Sequence, residues 1–152
     1  MMTHYTYDTV LGSVTFVEEG GTLLAMSMQR IHEGIEQESP LIRKAYLQLT
    51  EYLEGKRKEF DLPIQMRGTA FQKQVWKALL EIPYGETRSY KQIAEAIRNP
   101  KAMRAVGMAN NRNPLLIVVP CHRVIGANGK MVGYGEGIEM KEFLLRLEGS
   151  LL

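Results

Sequence analysis

The sequence predicts an α+β protein, in which a small N-terminal sheet and one helix are followed by a mainly helical second half. Residues 3–29 alternate in hydrophobicity and are rich in Thr, Tyr, Val and Phe, which is typical of strands. From residue 40 onward, most apolar residues recur at helical spacing instead. The charge balance also changes near residue 65, so we predict two domains, residues 1–65 and residues 66–152.

The first half of the chain contains the predicted strands and one predicted helix. Two glycines at positions 20 and 21 mark a turn into the last of the strands. A polar connector follows, and a helix is predicted over residues 40–55, where Leu, Ala and Tyr recur at helical spacing. Residues 56–66 are predicted to form a short strand or an extended linker.

The second half begins with three predicted helices. Thr69 is a suitable N-cap for a helix over residues 70–82. Two short helices follow over residues 90–97 and 101–111, and Pro100 suits the first turn of the second one. A connection of about three or four residues between two such helices is typical of a helix-turn-helix.

An apolar and glycine-rich stretch separates these helices from the end of the chain. Residues 115–119, LLIVV, are predicted to be extended, and residues 123–137 to form a hairpin-like loop. A final amphipathic helix is predicted over residues 140–149.

Composition restricts the class of protein. The chain of 152 residues is 45% hydrophobic and 24% charged, which is typical of soluble globular proteins. No apolar run is long enough to cross a membrane, and the first residues lack a secretory pattern. A single cysteine forms no internal disulfide and builds no cysteine-rich zinc site. We therefore expect a cytoplasmic protein with a reduced thiol and no bound metal.

The net charge differs between the two halves. Residues 1–65 contain 6 Lys and Arg against 10 Asp and Glu, a net charge of −4. Residues 66–152 contain 13 Lys and Arg against 7 Asp and Glu, a net charge of +6. A basic half favours contact with a polyanion such as nucleic acid, and uneven surface charge is the alternative.

The helix predicted over residues 101–111 is rich in small residues. Ala102, Ala105, Gly107 and Ala109 lie at its candidate contact positions, and Arg104 is a long side chain among them. Readers of the major groove usually project long polar side chains. Small residues favour either close packing against a neighbouring helix or close approach to a minor groove, which Arg104 would enter.

Cys121 lies in the stretch IVVPCHRVIGANGK, next to His122. A buried structural thiol is one interpretation, because free cysteine is among the most buried residue types. A nucleophile is the other, and it needs a nearby base. Side chains adjacent along a strand point to opposite faces, so His122 reaches the thiol only across a bend at Pro120 or through a water. A carboxylate would orient the histidine, and spacing alone does not choose among Glu81, Glu86, Glu95, Glu136, Glu139, Glu142 and Glu148.

Five motifs occur in a fixed order in the second half. They are TAFQKQVWKALLEIPYGETRSYKQIAEAI, NPKAMRAVG, NRNPLLIVVPCHRV, GYGEG and KEFLLRLEG. In this order and spacing they resemble the O6-alkylguanine-DNA alkyltransferase family over residues 66–152, and the first half matches in general layout. The resemblance implies a ribonuclease H-like N-terminal domain and a winged helix-turn-helix-like C-terminal domain that carries the active-site cysteine.

The resemblance also implies DNA repair by direct damage reversal. The family flips a damaged guanine out of double-stranded DNA and transfers its O6-alkyl group irreversibly to a cysteine. Cys121 would be the acceptor, His122 would take its proton through a water, and Glu148 would orient His122. Tyr90 would contact the 3′ phosphate and pass a proton to guanine N3. Such a displacement needs no cofactor, and a second substrate, O4-alkylthymine, is left open.

Further residues are implied to contact DNA or to support the active-site strand. Arg104 would fill the gap that the flipped base leaves in the stack, on a helix whose small residues Ala102 and Ala105 approach the groove. Asn113 would brace the turn between the recognition helix and the active-site strand.

The pocket for the flipped base is implied as well. Backbone groups of Cys121, Val124 and Gly135 would contact the guanine edge, and Tyr134 would form a wall of the pocket. Position 110 departs from the family pattern, because Asn110 stands where some relatives place an apolar residue against the base.

Two other functions compete with alkyl transfer. A lesion sensor or DNA-binding regulator without chemistry would bind alkylated DNA and form no adduct. A cysteine hydrolase would turn over small acyl substrates, which the basic half and the helix-turn-helix pattern disfavour.

We expect the protein to be a monomer, because a single chain is sufficient for a protein that reacts only once.

Overall fold

The computed structural model describes residues 1–130 and 137–151. By its contacts the chain divides into two compact units, Met1–Met66 with Pro114–Leu116, and Arg67–Asn113 with Ile117–Leu152. The α+β class predicted from the sequence is confirmed. The boundary near residue 65 stays a prediction, and the sequence did not indicate that residues 114–116 belong to the first unit.

The first unit contains a four-stranded sheet. β1 (Met2–Thr9), β2 (Gly12–Glu19) and β3 (Thr22–Ser27) are joined in antiparallel pairs, as the alternating pattern predicts. A fourth strand, β4 (Ile35–Glu36), pairs in parallel with β1, so the sheet order is β3-β2-β1-β4. Sequence analysis missed β4, because two exposed residues carry no hydrophobic pattern.

One helix packs on this sheet. α1 (Pro40–Leu53) begins at the N-cap Ser39, whose hydroxyl accepts the Ile42 amide at 3.2 Å. Its buried side contacts β2, the strand that carries the fully buried Phe16. Residues 114–116 join this unit through the backbone of Met26, whose amide donates to the Pro114 carbonyl at 2.9 Å.

The second unit begins with α2 (Ala70–Leu80). The predicted N-cap Thr69 is confirmed, and it forms a capping box with Gln72. The helix ends at Leu80, slightly earlier than predicted. Trp76 is buried, and its Nε1 donates to the Ala109 carbonyl at 2.9 Å. This bond holds α2 against the helix that contains Ala109.

The two short helices are α3 (Tyr90–Ala96) and α4 (Met103–Asn111). Their connection is residues 97–102, which is longer than the sequence predicts. Arg98 has a φ of 60°, in the left-handed region that commonly ends a helix. The role expected for Pro100 is wrong, because α4 begins at Met103 and Pro100 lies in the preceding turn.

A short parallel pairing links the start of α3 to the stretch after the cysteine. β5 (Arg88–Ser89) pairs with β6 (Val124–Ile125). The sequence predicts only a loop at the residues of β5. The last helix, α5 (Ile138–Leu147), follows. Within the described parts of the chain, no helix has both the length and the apolar surface needed to cross a bilayer.

Candidate active site

Cys121 opens a single turn of 3₁₀ helix, Cys121–Arg123, directly after Pro120. The Arg123 amide donates to the Pro120 carbonyl at 3.0 Å and closes the turn. Because a 3₁₀ helix has three residues per turn, successive side chains diverge by about 120° and do not point to opposite faces. Cys121 is 2% exposed and His122 is fully buried, so the chain bends at Pro120 and both groups lie in the interior.

A turn at Ile117 and Val118 interrupts the extended run that the sequence predicts, while Leu115 forms a parallel β-bridge with Met26. Ile117 has a φ of +71°, which costs about 1–3 kcal/mol for a residue other than glycine. Asn113 donates from Nδ2 to the Val119 carbonyl at 2.7 Å, across this turn. The hydrophobic run therefore reflects burial, and Asn113 helps to hold the strained segment that leads to Cys121.

His122, Glu148 and Arg123 form a buried chain of hydrogen bonds. Glu148 is the C-cap of α5, is 5% exposed, and has its Oε2 2.8 Å from Nε2 of His122. Arg123 donates from Nε to Oε1 at 2.8 Å and from Nη2 to Oε2 at 2.9 Å. Its Nη1 donates to the Ile82 carbonyl at 2.7 Å. The structure thus brings together His122 and Glu148, the pair that the resemblance implies. It also adds Arg123 to the site, which the sequence did not indicate.

The charges around His122 determine which ring nitrogen is a base. Burial lowers the pKa of His122 well below its ordinary value, and the Arg123 and Lys141 cations lower it further, so the ring is neutral at pH 7. Burial raises the pKa of Glu148 above its ordinary value and lowers that of Arg123 to about 10. Arg123 remains charged at neutral pH, and its two hydrogen bonds hold Glu148 as a carboxylate against this desolvation.

A carboxylate only accepts hydrogen bonds, so Nε2 of His122 carries the ring proton. Its Nδ1 then has a free lone pair, and it has no hydrogen-bond partner among the residues that the structure describes. A neutral imidazole with an unoccupied nitrogen is a competent general base next to a cysteine.

Tyr90 and Lys141 approach the cysteine from α3 and α5. Lys141 is fully buried, donates from Nζ to the Val124 carbonyl, and lies 6.0 Å from the centre of the Tyr90 ring. Burial raises the pKa of Tyr90, and negative charge on Cys121 raises it further. Burial lowers the pKa of Lys141 to about 8, and negative charge on Cys121 opposes this. Sequence reasoning missed Lys141, because a lysine in an amphipathic helix is ordinarily exposed.

Replacing Lys141 with Met is expected to change how stability depends on pH. Unfolded chains protonate this lysine below about pH 10.5, whereas the folded protein does so only below about pH 8. The free energy of unfolding of the wild type should therefore rise relative to the variant between these pH values, by roughly 2–4 kcal/mol. Urea unfolding across this range measures the difference. Lys91→Met, at an exposed position of α3, is the control, and parallel curves for wild type and Lys141→Met would contradict the burial of this charge.

Of the residues predicted to contact DNA, Tyr90 begins α3, and the other three lie on α4 or at its N-cap. Arg104 and Ala105 are on its exposed face, and Ala102 is the N-cap, without a side-chain hydrogen bond. A Cβ added at Gly107 would lie 3.8 Å from the Tyr90 ring. That distance is an ordinary contact, so the small residue that burial explains is Ala109, which is 2% exposed. The exposed face of α4 presents the small side chain of Ala105 beside the long cation of Arg104.

The remaining predicted pocket residues divide into two groups. Val124 begins β6, is buried, and its carbonyl accepts from Lys141. Tyr134 and Gly135 lie outside the described residues, so their roles stay predictions. Across residues 1–130 and 137–151, no group of three or more His, Cys, Asp and Glu side chains is arranged to hold a metal ion.

Two family descriptions match nearly the whole chain. The 6-O-methylguanine DNA methyltransferase ribonuclease-like domain matches residues 2–66. The 6-O-methylguanine DNA methyltransferase DNA binding domain matches residues 70–150, which include every described residue of the site.

Individual relatives are similar over most of the chain. A methylated-DNA–protein-cysteine methyltransferase of Methanosarcina acetivorans is 64% identical over 108 residues, which are 71% of this chain and 69% of that protein. One of Mycobacterium bovis is 50% identical over 155 residues, covering 98% of this chain and 94% of that protein. The crystal structure of Mycobacterium tuberculosis OGT in complex with DNA has a TM-score of 0.91 at 47% identity, covering 97% of this chain and 93% of that one.

Proposed function

Because the chain belongs to the 6-O-methylguanine DNA methyltransferase family, we propose that it repairs double-stranded DNA by moving the alkyl group of O6-alkylguanine onto its own Cys121. The observation that carries this proposal is the buried Arg123–Glu148–His122 chain. It leaves Nδ1 of a neutral imidazole, next to the cysteine, without a hydrogen-bond partner among the described residues. One chain supplies all of these groups, so the protein would act as a monomer. The cytoplasm is the expected compartment, because a thiol stays reduced there.

The transfer exchanges one covalent bond for another. Nδ1 of His122 takes the Cys121 proton through a bridging water, and Glu148 stabilises the ring as it becomes positively charged. The electron pair of the thiolate forms the bond between sulfur and the alkyl carbon while the bond from that carbon to O6 breaks. The electrons of the breaking bond pass to the guanine, and a proton delivered to N3 leaves the base neutral.

Tyr90 is the group that we propose to deliver this proton. The residue before it, Ser89, is paired with Ile125, which ties the start of α3 to the stretch that follows the cysteine. Burial raises the pKa of Tyr90, so the phenol keeps its proton at neutral pH until the leaving base accepts it. Lys141 over the ring favours the phenolate as it forms, because an opposite charge stabilises the ionised state.

The product explains why the protein would react only once. A thioether is not hydrolysed easily, so the alkylated cysteine is not regenerated. This behaviour distinguishes the proposal from a cysteine hydrolase, in which an acyl-enzyme intermediate is cleared by water.

The exposed face of α4 is the surface that we propose to contact DNA. The basic balance of residues 66–152, with 13 Lys and Arg against 7 Asp and Glu, favours binding to phosphates. The small side chains of Ala102 and Ala105 allow a groove of the DNA to approach the helix closely. Arg104 is then able to enter the stack of bases. Extruding a base costs a few kcal/mol, which a side chain in the gap partly offsets.

Replacing Arg104 with Ala is expected to slow methyl transfer from duplex DNA by roughly 10- to 100-fold, because the flipped state becomes less populated. Transfer from a single strand, which has no paired base to extrude, should fall much less. Single-turnover rates on both substrates measure this. Arg112→Ala removes an exposed charge at the end of the same helix and is the control. Equal losses on duplex and single-stranded DNA would contradict the role in flipping.

Lesion consumption with DNA in excess tests the proposed function. The wild type should remove one O6-methylguanine per protein molecule and then stop, and Cys121→Ala should remove none. Continued turnover would indicate a hydrolase-like reaction. Tight binding of the lesion duplex without any removal would indicate the sensor.

A further inference from the structure

A tight turn over residues 83–86 lies next to the buried hydrogen-bond chain of the site. The Glu86 amide donates to the Pro83 carbonyl at 3.1 Å, and Gly85 has a φ of +86°. A positive φ at the third of four residues is typical of a type II turn and favours glycine there. The turn therefore presents the side chain of Tyr84 from a well-defined backbone conformation.

The guanidinium of Arg123 lies over the ring of Tyr84. The distance from Cζ of Arg123 to the ring centre is 5.7 Å, within the range of a cation–π interaction. The same guanidinium donates from Nε and Nη2 to Glu148 and from Nη1 to the Ile82 carbonyl. The ring attracts the charge without competing for any of these donors. Such an attraction is stronger here than at the surface, because Arg123 is 7% exposed.

The turn also contacts the end of α5, where Glu148 is the C-cap. The Tyr84 hydroxyl donates to the Leu147 carbonyl at 3.3 Å. A Cβ added at Gly85 would lie 3.2 Å from the Glu148 carbonyl, which is tighter than an ordinary contact. One turn therefore contacts both Arg123 and the backbone of Glu148, the two members of the buried ion pair.

The orientation of Arg123 affects which nitrogen of His122 is the base. Both oxygens of Glu148 accept from Arg123, and one of them also lies 2.8 Å from Nε2 of His122. A tilted guanidinium would turn the carboxylate, and the ring proton of His122 would then no longer be fixed on Nε2. An apolar side chain at position 84 would fill similar space, but it would remove one of the attractions that hold the buried cation.

We propose that Tyr84 is a positioning residue for alkyl transfer. Its ring holds the guanidinium of Arg123 in the orientation that fixes Glu148, and Glu148 in turn orients His122 as the base for the Cys121 thiol. The inference rests on the proposed function, because it concerns the rate at which Cys121 is alkylated. Because Tyr84 acts through Arg123, its loss should slow the chemical step and leave DNA binding unchanged.

Two substitutions at Tyr84 test the proposal. Single-turnover methylation is followed by intact mass at increasing concentrations of a duplex that contains O6-methylguanine, which gives a maximal rate and a half-saturating concentration. Tyr84→Leu should lower the maximal rate by about three- to tenfold, the size expected for one buried cation–π contact, and leave the half-saturating concentration unchanged. Tyr84→Phe keeps the ring and should keep the maximal rate within about twofold of the wild type.

Two further variants separate positioning from stability. Tyr46→Leu removes a ring of the first unit that stacks on Tyr7, with 3.9 Å between the ring centres, and it should lower stability without lowering the maximal rate. In an Arg123→Met background the ring has no cation to hold, so Tyr84→Leu should slow transfer no further. Urea unfolding identifies the conditions in which each variant is folded, and Tyr84→Met replaces Tyr84→Leu if the latter does not fold.

Three outcomes would overturn the role of Tyr84. An unchanged maximal rate in the folded Tyr84→Leu variant would leave the ring a role in stability alone. Equal slowing by Tyr84→Phe and Tyr84→Leu would assign the effect to the hydroxyl bond with Leu147. Equal slowing by Tyr84→Leu with and without Arg123 would exclude an effect through the guanidinium. A wild type that gains no methyl group would instead overturn the proposed function itself.

Discussion

Replacing Glu148 with Gln is expected to lower both the stability of the protein and the rate of alkyl transfer. Arg123 would keep its charge in the interior and lose its anionic partner, and breaking a buried pair in this way costs about 3–5 kcal/mol. A neutral amide both donates and accepts, so it no longer fixes the proton of His122 on Nε2. We expect the rate to fall by about 10²- to 10⁴-fold, the usual contribution of a general base. Urea unfolding and single-turnover transfer measure the two effects.

A second substitution separates these two effects. In the double variant Arg123→Met with Glu148→Gln, the unpaired buried cation is gone, so most of the lost stability should return. The rate should stay low, because no carboxylate orients the histidine. Recovery of the rate together with stability would show that Glu148 acts only through folding, and would refute its role in setting the base.

Replacing Tyr90 with Phe is expected to slow transfer by about 10²- to 10⁴-fold, the usual range for a proton donor in the transition state. Without the phenol proton, guanine would leave as an anion. Stability should change little, because Tyr90 is only half-buried and the ring is kept. Single-turnover rates at one pH for both proteins give the effect.

A lesion base with carbon in place of N3 is the matched control for this variant. The wild type should transfer slowly from that base, because the proton has no nitrogen to reach, and Tyr90→Phe should slow it no further. An equal additional loss on both bases would mean that Tyr90 serves to shape the site and does not donate the proton.

Much of the fold could be predicted from local patterns. Alternation gave β1 to β3, and the capping residue Thr69 gave the start of α2, because both are encoded within a few neighbouring residues. The two-residue strands β4, β5 and β6 could not be predicted, since their pairing depends on distant parts of the chain. The turn at Ile117 was missed for another reason: a buried β-branched residue favours extended structure, and tertiary contacts override that preference here.

The candidate site was only partly visible in the sequence. The Cys121–His122 pair was evident, but spacing did not choose Glu148 among seven carboxylates, and only the resemblance singled it out. Arg123 and Lys141 were missed because charged side chains are ordinarily exposed. Their burial depends on acceptors supplied by residues far along the chain, the Ile82 carbonyl and Glu148 for Arg123 and the Val124 carbonyl for Lys141.

Intact mass after mixing with a short duplex that contains one O6-methylguanine tests the central claim most directly. We expect the wild type to gain the mass of one methyl group in place of a proton, located on the peptide that contains Cys121, and Cys121→Ala to gain nothing. An unchanged mass for the wild type, with the lesion intact in the duplex, would contradict alkyl transfer to Cys121.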